Sequence, residues 1–106
     1  MKLRTLLIAA LGAALTAGAA SATTPAQVNH PRRVEVNHRL THINHAIRHQ
    51  RVTGKLTAHQ ARRLHARTHK IRVQERVYAR HNAGHITRSE QRHLNHEATA
   101  VRNKAS

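Results

Sequence analysis

Gly54-Lys55-Leu56-Thr57-Ala58-His59-Gln60 returns thirty residues later as Gly84-His85-Ile86-Thr87-Arg88-Ser89-Glu90, and this pair of segments decides the fold. Each residue type in the unit has a place at a helix junction. Glycine takes the left-handed conformation that ends a helix. Leu56 or Ile86 stands just before the cap as a hydrophobic anchor, and Thr57 or Thr87 is the N-cap. Gln60 or Glu90, three residues on, reaches back to close a capping box. Gly54, Thr57, Gln60, Gly84, Thr87 and Glu90 are therefore read as structural residues. Each unit spells helix stop, tight turn, helix start. The repeat register persists downstream, with Leu64 matching Leu94 and Ile71 matching Val101.

Two such junctions separate three helices. The first is expected from Arg33 to Arg51, with Val36, Leu40, Ile43 and Ile47 along one stripe. The second runs from Ala58 to Asn82, with Ala61, Leu64, Thr68, Ile71, Glu75 and Tyr78 alternating at spacings of 3 and 4. The third runs from Arg88 to Asn103, with Gln91, Leu94, Ala98 and Val101 in the same rhythm. These are narrow seams, not broad apolar faces. Helices joined by such short turns pack as antiparallel hairpins. The expected fold is all-α, an antiparallel three-helix hairpin array over residues 34–103, with 104–106 as a tail. Residues 23–33 hold both prolines, Pro25 and Pro31, and are read as a disordered lead-in.

Residues 1–22 read as a cleavable signal peptide. Lys2 and Arg4 form a positive start, Leu6 to Leu11 opens an apolar run, and Ala20-Ser21-Ala22 supplies the small-x-small cleavage pattern. The segment is rich in Ala, Gly and Thr and is marginal for a membrane span, which needs roughly 20 apolar residues. The expected location is the periplasm or the medium, with no transmembrane segment after cleavage.

Charge dominates what remains. The chain carries 19 Lys and Arg against 4 acidic residues, all of them Glu. Loss of Lys2 and Arg4 leaves 17 against 4, or +13 before any histidine is protonated. Such a surface favours anionic partners. With no Cys, no Trp, no Phe and one Tyr, the core has neither disulfides nor large aromatics to support it. A core this thin points towards a homodimer or folding against a partner, although the self-repulsion of the charge works against the first.

Arginines load the second helix, and Arg62, Arg63, Arg67, Arg72 and Arg76 are the candidate partner-binding residues. Arginine suits bidentate contacts to phosphate or carboxylate. Export disfavours nucleic acid as that partner, and the lack of Phe and Trp removes stacking platforms for single strands. The expected partners are acidic polypeptides or envelope polyanions. Catalysis is not expected: there is no Asp or Cys, and the two Ser residues after position 22 fall at a helix start and the C-terminus.

The competing reading rests on the 12 histidines. His38, His42, His45 and His49 are spaced 4, 3, 4 on the face opposite the first seam. Imidazoles at i,i+4 can chelate a divalent transition metal, so a buffer for Zn, Cu or Ni is the alternative function. His65 and His69 make a similar pair beside the second seam, and His93 and His96 lie away from the third. Otherwise no cofactor is expected.

The Leu-Thr-x-x-Gln of Leu56–Gln60, with its relative Ile86–Glu90, resembles the LTxxQ-motif periplasmic family over about Gly54–Val101. That family includes ATP-independent envelope-stress chaperones, stress-response inhibitors and zinc-resistance-associated proteins. The resemblance implies a stress-type binding role. The chain departs from the pattern in being shorter, in lacking the family's methionines, and in having Ile and Glu in its second motif. The full repeat is closer to a set of small secreted proteobacterial proteins, a likeness that implies no particular activity. Gly84 and Glu90 also match positions 6 and 12 of a calcium-binding loop. Positions 1, 3 and 5 are then Ala79, His81 and Ala83, which supply no carboxylate, so calcium is not expected.

Overall fold

A computed structural model describes residues 29–106, in which three helices and no strand form. They are α1 (Pro31–Val52), α2 (Ala58–His81) and α3 (Arg88–Ala105). Every pair of helices is in contact. The array therefore closes on itself, with α1 and α3 touching each other as well as α2. Among the described residues no helix is long and apolar enough to cross a membrane. The segment read as a signal peptide, with the lead-in up to residue 28, lies outside the described residues.

Two boundaries differ from the sequence reading. α1 begins at Pro31, inside the stretch read as a disordered lead-in. Proline suits the first helical position, where its missing N–H would have had no partner and its fixed φ matches the helix. This start of the helix is also tied down, because Arg32 and Arg33 bond to the turn between α2 and α3. At the other end α3 runs to Ala105, whose methyl is buried, so most of the expected tail is helix.

The junctions form by reciprocal hydrogen bonds. Thr57 Oγ1 accepts from Gln60 N at 3.1 Å while Thr57 N donates to Gln60 Oε1 at 2.8 Å. Thr87 and Glu90 repeat this with the same two distances. Each cap contributes about 1 kcal/mol by satisfying N–H groups the helix leaves open. Gly54 and Gly84 have φ of +86° and +93°, a conformation that costs a residue with a Cβ about 1–2 kcal/mol.

The core is a single cluster built from one seam per helix, with the anchors Leu56 and Ile86 buried at the two turns. On α2 the last buried position is Ala79; Tyr78 packs against the core from its edge, and its ring stands 6.4 Å from that of His93. Val52 is left 84% exposed and Val73 40%. Two polar layers cross the seams. Asn44 Oδ1 lies 2.8 Å from Thr68 Oγ1 and 2.9 Å from His65 Nδ1. Glu35 Oε1 accepts from Gln91 Nε2 at 2.9 Å and Asn95 Nδ2 at 2.8 Å, joining α1 to α3.

Candidate functional site

The four glutamates account for much of the surface electrostatics. Glu75 is 1% exposed on the α2 seam and pairs with Arg33 Nε of α1. Glu35 takes Arg39 Nη2 at 2.7 Å as well as the two amides from α3. Glu90 serves the second capping box and accepts from Asn82 Nδ2 at 3.1 Å. Only Glu97 stands exposed without such a bond among the described residues. Burial pushes the Glu35 carboxyl up, but hydrogen bonds from Asn95, Gln91 and Arg39, with the Arg39 charge, hold it below its ordinary value. Three of the four acids are thus spent on the fold, and Arg33 and Arg39 are the two cations with a carboxylate partner among the described residues. Among the described residues the other arginines and lysines have no carboxylate within ion-pair distance.

The five arginines singled out on α2 do not share one face. Arg63 and Arg67 flank α3: with Lys104 they rim a depression of about 330 Å³ whose walls include Leu56 and Leu64. Arg67 and Lys70 then continue along α3 into a second depression of about 250 Å³ beside Ile71, His93, Leu94 and Glu97. The two share Arg67, so they read as one shallow groove with apolar walls and a mostly cationic rim. On the other side of α2, Arg62 joins Arg48 and Arg51 of α1 beside exposed Val52. Arg72 is turned towards α1, where its Nη2 donates to Thr41 Oγ1 at 3.0 Å and its Nε is buried without a partner. Arg76 sits with Arg33, Arg80 and Gly84 near the second turn. The cause is helical geometry. Adjacent residues lie about 100° apart, so Arg62 and Arg63 diverge at once.

The α1 histidines are exposed on the face away from the core. His38 and His42 stack edge-on with ring centroids 4.6 Å apart, and His45 Nδ1 lies 2.9 Å from Arg48 Nη2. Among the described residues no three or more His and Glu side chains gather where they could share a metal ion. His65 is different. Burial, helped by the positive charge of Arg48, pushes its pKa below the ordinary value, so the imidazole that bonds Asn44 is held in its neutral form. Since Asn44 Oδ1 accepts, His65 Nδ1 carries the proton in this arrangement.

Sequence reasoning missed Lys104 and His93 as partners of the α2 arginines, because which helix borders which flank is set by the hand of the bundle. It also missed a clasp at the second turn. Arg33 Nη1 donates to Gly84 O at 3.2 Å, Arg32 Nη1 to Ile86 O at 3.3 Å, and His30 Nδ1 meets His85 Nδ1 at 3.3 Å. The one available signal was the buried position of Glu75, which demanded a cation. No protein-family model matches the chain, and no curated protein or solved structure is similar enough to count as a match.

Proposed function

We propose that the protein is a non-catalytic binding protein of the periplasm or medium that holds acidic partners in a chaperone-like manner. One observation carries the reading: among the described residues three of the four glutamates are bonded within the fold, and only Arg33 and Arg39 of the arginines and lysines have a carboxylate partner. A partner with acidic side chains or phosphates supplies the missing counter-charge and releases ions from the basic surface. The groove along α2 and α3 is floored by the edges of the core residues Leu56, Leu64, Ile71 and Leu94, nearly all of whose surface is buried, beneath Arg63, Arg67, Lys70 and Lys104. That combination suits an acidic, partly unfolded polypeptide, which offers both anionic and apolar groups.

The test is suppression of aggregation of an acidic model substrate, followed by light scattering across a salt series. Protection is expected at low salt and should fade as screening increases. Arg63→Glu with Arg67→Glu should remove most of it, and Arg62→Glu with Arg76→Glu should remove less. Protection that ignores salt, or survives reversal of Arg63 and Arg67, would sink the proposal.

A further inference from the structure

We propose that His30 and His85 form a two-histidine site for a borderline divalent transition metal, with Zn²⁺ as the test ion, that exists only in the folded chain. Their Nδ1 atoms stand 3.3 Å apart and their ring centroids 4.7 Å apart. Two imidazole nitrogens bound at roughly 2.0–2.1 Å to a tetrahedral Zn²⁺ are separated by about 3.3–3.4 Å. The pair already has the spacing that the metal imposes. Direct contact needs an Nδ1–H on one ring facing the bare Nδ1 of the other; for a metal to bind, the donor ring shifts that proton to its own Nε2, which leaves both rings neutral with both Nδ1 lone pairs free.

The backbone around the pair fixes this approach. Arg33 and Arg32 bond the carbonyls of Gly84 and Ile86, the two neighbours of His85, and so set the register on both sides of it. Gly84 lets the ring come close: a Cβ there would lie 3.2 Å from His30 Cε1. His85 is exposed, which leaves room for water to complete the coordination. The same two arginines make the surroundings positive, which weakens cation binding relative to closed structural sites. Arg33 is partly neutralised by Glu75.

The site differs in kind from the α1 stripe. His38 and His42 belong to one helix and meet whenever α1 is formed, whereas His30 and His85 are 55 residues apart in sequence. A metal on the latter pair ties the start of α1 to the α2–α3 turn, and its binding energy becomes folding energy.

The experiment is thermal unfolding of the metal-free protein with and without Zn²⁺, read by circular dichroism, beside ¹⁵N NMR of the histidine rings. At a hundredfold excess over Kd, Tm should rise on the order of 10 °C. His30→Gln and His85→Gln should each lose most of that rise, while His38→Gln with His42→Gln keeps it. In the unsubstituted protein the Nδ1 resonances of His30 and His85 should shift on Zn²⁺ addition. A Tm that does not move, a rise unchanged in both single variants, or unshifted Nδ1 resonances would overturn the proposal; the ring readout holds even if a variant folds poorly.

Discussion

The two turns come from the same seven-residue unit and do different jobs. At the first, α1 runs on to Val52, Thr53 is the C-cap, and Gly54 takes the left-handed position with no atom within 4 Å of where its Cβ would be. At the second, α2 stops at His81. Ala83 is already left-handed, at a φ of 55°, and Gly84 follows it at +93°. Gly84 N then reaches Ala79 O at 2.8 Å, the six-to-one bond of a Schellman ending. What separates them is the neighbour. The first turn faces solvent, and the second receives His30, Arg32 and Arg33 from the start of α1. A capping unit encodes a turn; the tertiary contact decides whether that turn is a hinge or a clasp.

The largest break in this contrast should come from Glu75. Glu75→Ala leaves Arg33 without its partner at the clasped end; because Arg33 is 28% exposed and water can take up part of its charge, the cost should fall below the ~3–5 kcal/mol of a fully buried pair. Urea unfolding should show that loss as a lower midpoint. Joint replacement of Arg33 by Met and Glu75 by Leu should recover most of it, since well-packed apolar residues can replace a buried pair with little net change. If Glu75→Ala is neutral, the Arg33–Glu75 pair contributes nothing to stability.

A smaller effect should distinguish the glycines themselves. Gly54→Ala should cost about 1 kcal/mol, the penalty of a Cβ at positive φ in open space. Gly84→Ala adds the clash with His30 and should cost about 2 kcal/mol. Equal losses in chemical denaturation would mean that His30 moves aside freely.

The mildest effect, and the most local, is pH. His65 lies in the half of the bundle nearer the first turn, and its folded pKa is lowered from 6.5. Below 6.5 the unfolded chain takes up the proton more readily, so stability falls as pH drops from there through the folded value. Glu35 lies in the clasped half, and its pKa is lowered from 4.5. Its contribution is intact above 4.5 and is lost as pH falls through its folded value. Amide exchange during acid titration should therefore loosen around Asn44 and Thr68 before it loosens around Gln91 and Asn95. His65→Gln should remove the first step and Glu35→Gln the second; a single concerted step in the unsubstituted protein would erase the distinction.

Helix number, turns and caps were legible in the sequence because they depend on local chemistry. Gly54, Thr57 and Gln60 do their work within seven residues of one another, and the seams follow from helical period. Position on the far side of a seam was less secure: Ala79 is buried where Tyr78 fitted the spacing, since a bulky ring can cover a core from its edge. The site was least legible. Arg62 and Arg72 on one flank, and Arg63 and Arg67 on the other, look like one basic block in a linear reading. Their separation needs the positions of α1 and α3. Arg33 lay in a stretch set aside for its prolines, and nothing local ties it to Glu75, 42 residues on.

That distance bears on the order in which the protein can complete itself. A chain made from its N-terminus presents Arg33 long before Glu75 exists, and Glu35 before Gln91 and Asn95. Until the second half arrives, the first helix carries an unanswered cation and a seam with nothing to cover it, and most helical stability in a protein comes from packing of that seam. Then the carboxylate, the turn carbonyls and the third helix become available in quick succession. The first helix is thus the earliest part made and the last to be settled, and a chain truncated before the second repeat should have no route to the bundle.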